Sequence, residues 1–137
     1  MSGIEINAHA PQVLELTVKS ENVYNESILE FTPKRKFDVV LIKGVLIHIN
    51  PDMLDLVYEK LYNGSSKYIL IGEYYNPTPL SISYRGHEDR LFKRDFAGDI
   101  MKKYLDLKLV DYGFAYNGDP TFPQDDITWF LLEKTSI

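Results

Sequence analysis

At 137 residues, with 45% hydrophobic and 26% charged side chains, the chain can bury one core over residues 1–137 and is too short for two ordinary domains. A net charge of -5 and a pI near 5.1 argue against the clustered cations that grip nucleic acid and point to a small-molecule partner instead. The absence of cysteine excludes disulfides, zinc-thiolate sites and thiol nucleophiles, and the three histidines lie too far apart in sequence to form a ligand-spaced metal pair.

In chain order, residues 3–7 read as the end of a strand that begins almost at the first residue. Asn7 can cap a helix over residues 8–19, with Pro11 tolerated in its first turn. A short extended segment is expected within 22–29, then a basic turn over 33–36. The run Phe37-Asp38-Val39-Val40-Leu41-Ile42 is almost continuously apolar and β-branched, the pattern of a central parallel strand covered on both faces. After an apolar connection over 44–49, Asn50-Pro51 reads as an N-cap with proline at the first helical position, opening a helix to about residue 62. Leu54, Val57, Tyr58 and Leu61 form its apolar stripe.

A second buried strand is predicted over 67–74, followed by a loop over 75–90 that is long for a compact domain. Asp95 can cap a helix over 96–104. The last two strands, 108–116 and 126–134, are joined by a connector too short for a crossover helix, so they should pair antiparallel. The alternation implies an α/β fold with a doubly wound sheet and a reversed edge strand. No segment has the form of a cleaved leader or approaches the roughly 20 apolar residues that span a bilayer, so a cytoplasmic chain without membrane contact is expected.

A parallel Rossmann-like sheet closed by a C-terminal antiparallel hairpin is similar to the class I S-adenosylmethionine-dependent methyltransferases. The runs Lys43-Gly44-Val45-Leu46-Ile47-His48-Ile49-Asn50-Pro51, Glu73-Tyr74-Tyr75-Asn76-Pro77-Thr78-Pro79, Tyr84-Arg85-Gly86-His87-Glu88, Leu91-Phe92-Lys93-Arg94-Asp95-Phe96-Ala97-Gly98 and Phe122-Pro123-Gln124-Asp125-Asp126 resemble the methylases associated with pseudaminic acid biosynthesis. The resemblance implies S-adenosylmethionine as cofactor and a sugar-type acceptor. It also implies that the chain starts inside the family's second strand, without the family's first strand and glycine-rich turn. That turn lets backbone N–H groups approach the cofactor. A pocket missing one wall, with weak or absent activity, is therefore expected. The alternative is a non-catalytic module that self-associates as a homo-oligomer through unpaired strand edges.

Site residues follow from both lines. By resemblance, Glu5 ends the strand that reaches the ribose diol, and Ser27 and Ile28 stand at the adenine edge. Lys43, Gly44 and Val45 follow the first apolar strand at its carboxyl end, where open α/β sheets bind ligands; a strand-to-helix connection needing a small residue explains them equally well. His48 is either a general base for the acceptor or a packed histidine. Tyr84, Arg85 and His87 can clamp a substrate from the long loop. Glu73, Tyr74, Tyr75 and Asn76 end a buried strand with an acid, two aromatics and an amide, which suits a sugar ring. Asp125 and Asp126 are an acid/base or cation pair, or else cap a turn.

Overall fold

The structure, a computed structural model, describes residues 3–4, 23–24, 26–83 and 90–135. The chain divides into two compact units, Met1–Lys34 and Arg35–Ile137. In the first, β1 (Gly3–Ile4) pairs in parallel with β2 (Val23–Tyr24). The expected helix over 8–19 lies outside the described residues, as does Glu5. Behind β2, Ser27 closes a turn: its carbonyl accepts the N–H groups of Glu30 and Phe31, and its hydroxyl oxygen accepts that of Leu29.

The second unit is built on four strands in the order β3-β4-β8-β7. β3 (Phe37–Lys43) runs parallel to β4 (Ser65–Glu73), while β8 (Ile127–Lys134) lies antiparallel to both β4 and β7 (Leu107–Ala115). The C-terminal hairpin expected from its short connector is therefore present, and the parallel pair is too. Register aligns Ile42 with Ile71, Val40 with Ile69, and Ile69 with Leu132, so these side chains share one face. Ile42, Ile69, Ile71 and Leu132 are buried there and form the centre of the core.

Among the described residues, two helices pack on this sheet. Asn50 caps the first as its sequence predicts, its side-chain oxygen accepting the Asp52 N–H at 3.0 Å. The opening turn, Pro51–Met53, is a 3-10 turn, and α1 proper is Leu54–Gly64. Leu54, Val57, Tyr58 and Leu61 are buried, so the apolar stripe is the one read from the spacing, and α1 lies against β3 and β4. Asp95 caps α2 (Phe96–Lys103) through a 2.9 Å bond from the Gly98 N–H. Asp99 then ties the two helices together, accepting from the Tyr58 hydroxyl at 3.3 Å and pairing with Arg94 at 3.0 Å. At the far end of α1, the Lys134 ammonium donates to the carbonyls of Tyr62 and Ser65, 2.9 and 2.8 Å away, and sits 3.9 Å from the centre of the Tyr62 ring.

Two expectations need correction. Among the described residues β3 is not a central strand of the four-stranded sheet but its end strand: Val39 is 52% and Leu41 61% exposed, on the face opposite the buried isoleucines. A continuous apolar run reports a strand able to be covered twice, and coverage depends on neighbours that the run does not encode. The long loop over 75–90 is also not wholly a loop. Leu80–Ser83 forms β5 and pairs antiparallel with β6, Arg90–Lys93, with Leu80 opposite Lys93 and Ile82 opposite Leu91. Residues 84–89 lie outside the described residues.

Candidate functional site: the crevice at the carboxyl end of β3

At the carboxyl end of β3 the chain turns sharply. Gly44 adopts a φ of +63°, in the left-handed region that side chains with a Cβ disfavour, and nothing lies within 4 Å of where a Cβ would stand. Its N–H donates to the Gly72 carbonyl of β4 at 2.9 Å, the last link between the two strands before they part. Val45 then leads into a single 3-10 turn, Leu46–His48, whose Leu46 and Ile47 side chains are buried.

Glu73 holds this turn from beneath. One carboxylate oxygen accepts the Val45 N–H and the other the Ile47 N–H, both at 3.1 Å. The side chain is 2% exposed, so an acid sits inside the core end with backbone donors as its hydrogen-bonding partners. Burial pushes its carboxyl up to about 7, against the opposing pull of the N–H groups of Ile47, Val45, Gly44 and Leu46, which favour the charged form.

A cavity of about 330 Å³ opens here, lined by Lys43, Gly44, Ile47, His48, Glu73, Tyr74, Asp125 and Ile127. Residues from three stretches of sequence meet in it: the end of β3 with its turn, the end of β4, and the approach to β8. Lys43 reaches across to the last of these, its ammonium donating to the Gln124 side-chain oxygen at 3.0 Å. Asp126 takes a left-handed φ of 57° and accepts the Asn117 N–H at 2.8 Å, so it fastens the β7–β8 connector, whereas its neighbour Asp125 faces the cavity. The two acids therefore do different things.

The structure thus gathers Lys43, Gly44 and His48 around one opening and sets Val45 in the hydrogen-bonded turn behind it. Tyr75 lies to the side, 44% exposed, its ring 6.0 Å from that of Phe130, and Tyr74 is the tyrosine that lines the cavity. Ser27 and Ile28 belong to the first unit, in the turn behind β2. Arg85 and His87, with Tyr84, fall outside the described residues, as does Glu5. The grip of Glu73 on the turn is what sequence reasoning missed. Its partners stand 28 and 26 residues away, and no local spacing announces them.

No family model and no curated protein matches the chain. Among solved structures it is similar to the 1,6-didemethyltoxoflavin-N1-methyltransferase of Burkholderia thailandensis with bound 1,6-didemethyltoxoflavin and S-adenosylhomocysteine: TM-score 0.73, 11% identity, 97% of this chain and 60% of that one. It is also similar to a SAM-dependent methyltransferase from Methanosarcina mazei, with TM-score 0.70, 9% identity, and 99% and 82% of the two chains covered. The N-methyltransferase NodS of Bradyrhizobium japonicum, in complex with S-adenosylhomocysteine, matches at TM-score 0.61 and 12% identity over 97% of this chain and 65% of that one. The chain therefore spans about six tenths of the length of the Burkholderia enzyme. With strand pairing, hairpin and these likenesses in agreement, the chain carries the Rossmann-like fold of the class I S-adenosylmethionine-dependent methyltransferases.

Proposed function

We propose that the protein is a methyltransferase-like protein associated with surface-sugar, pseudaminic acid type biosynthesis, whose crevice at the carboxyl end of β3 takes S-adenosylmethionine weakly and whose activity as this chain is weak or absent. The observation that carries this reading is the cavity itself. It lies where the first two parallel strands of the unit end, which is where open α/β sheets bind ligands, and it is entered over a glycine with a left-handed φ and open space within 4 Å of where its Cβ would stand. Those features fit the group: a bare backbone turn lets a ligand approach main-chain atoms closely. Lys43, Gly44 and Val45 would hold the cofactor, which supplies an activated methyl group. His48, exposed at the mouth, is placed to take the acceptor's proton as its oxygen or nitrogen is methylated. Tyr74 and Tyr75 offer aromatic faces to a sugar ring, with Arg85 and His87 as further acceptor contacts by the family resemblance. Glu5, Ser27 and Ile28 are proposed, on the same resemblance, as the ribose and adenine contacts. Two of the similar structures hold S-adenosylhomocysteine, which supports the cofactor class.

Titration calorimetry with S-adenosylhomocysteine tests the reading. One-to-one binding that weakens when Gly44→Val places a branched side chain in the turn is the expected result; no heat up to the ligand's solubility limit would sink it. A second reading, a non-catalytic module that associates with its own copies, is favoured by the exposure of Val39 and Leu41 along the end strand β3.

A further inference from the structure

We propose that Glu73 is a positioning residue for this crevice: its buried carboxylate holds the 44–48 turn in the shape that a ligand meets, and releases part of that hold on protonation. The inference rests on the reading of the crevice as the cofactor site, and deepens it. Each carboxylate oxygen takes one N–H, from residues two apart that bracket the start of the 3-10 turn. An ionised carboxylate can accept both bonds equally. A protonated one cannot, because the hydroxyl oxygen is a poor acceptor and its hydrogen competes for the same space. The turn would then be fastened at one point instead of two, next to a glycine whose backbone is free to move.

The geometry makes this coupling local. Leu46 and Ile47 are buried, so the turn cannot swing away as a whole, and only the main-chain atoms around Gly44 and Val45 are left to readjust. Of these, Gly44 lines the cavity, and Val45 stands in the turn directly behind it. Glu73 shares its surroundings with Lys43 and His48 from β3 and its turn, with Tyr74 on its own strand, and with Asp125 ahead of β8; on β6, the Lys93 ammonium lies 5.4 Å from the centre of the Tyr74 ring. Desolvation brings the carboxyl near neutrality, so both protonation states are reachable without unfolding.

The test follows the backbone amides of Val45 and Ile47 by nuclear magnetic resonance in the isotope-labelled full chain, from about pH 5 to 8.5. Both are expected to titrate with one shared midpoint, to keep that titration in His48→Gln, and to lose it in Glu73→Gln. S-adenosylhomocysteine affinity should fall about tenfold towards the acid end with the same midpoint, the size expected for weakening one charge-assisted hydrogen bond, and Glu73→Gln should abolish that dependence. Amides that stay still in the unsubstituted chain, or that move equally in Glu73→Gln, overturn the proposal. So does an affinity that is level with pH while the amides titrate. If the ligand does not bind at all, the cofactor reading falls by itself, and the amide titration still decides whether Glu73 governs the turn.

Discussion

Glu73 makes the stability of the fold depend on pH in an unusual direction for an acid. Desolvation raises its carboxyl from the ordinary 4.5 to about 7 in the folded chain, so the native state holds a proton that the unfolded state releases. Its contribution is therefore most favourable below pH 4.5 and is lost as pH rises through 7, up to on the order of 3 kcal/mol. Urea unfolding midpoints across that window, taken for the chain and for Glu73→Gln, check this. The midpoint of the unsubstituted chain should fall relative to that of Glu73→Gln as the pH rises from 4.5 to about 7, and parallel curves would contradict it. Side chains that act within a few residues of themselves, such as Asn50 on Asp52 and Asp95 on Gly98, were legible in the sequence because a cap is a local pattern. Glu73 was legible only as an acid at a strand end. Which N–H groups it would meet depends on where β3 stops relative to β4, and that register is written over two separated segments.

Among the elements, α2 shows how a cap and a small residue depend on each other. A Cβ at Gly98 would stand 2.2 Å from one Asp95 carboxylate oxygen, the same group that caps the helix. Gly98→Ala must therefore displace the cap, costing about 1 kcal/mol, while gaining about as much in helix propensity. The substitution alone should be close to neutral. Made in an Asp95→Ala background, where no cap remains to displace, it should stabilise by roughly 1 kcal/mol. A double-mutant cycle by chemical denaturation measures the difference, and strict additivity would rule out the coupling. The hairpin β5–β6 was the element that composition concealed. Prolines, glycine and polar residues made the whole segment read as a loop, although Leu80 and Ile82 alternate with serines at the strand period and Leu91 lies opposite Ile82. The long β7–β8 pair was plain by comparison, since its connector leaves room for no crossover.

For the molecule as a whole, the end strand β3 sets the question of assembly. Its sequence says it can be covered on both faces, and its apolar Val39 and Leu41 face outward instead. On the self-association reading, light scattering should show a mass that rises with concentration, and Val39→Lys with Leu41→Lys should return it to that of one chain. A constant single-chain mass at high concentration would remove that reading and leave the crevice as the proposed functional feature. The opposite end of the sheet offers a way to watch such events. Trp129, the one tryptophan in the sequence, faces Gly113 across the β7–β8 pair, so close that a Cβ there would stand 2.6 Å from the indole. Its emission reports on β8, where Trp129 stands opposite Gly113 of β7 on one side and Gly72 of β4 on the other. Followed beside circular dichroism during denaturation, the indole colour will reveal whether the C-terminal hairpin comes apart together with the parallel strands or parts company with them first.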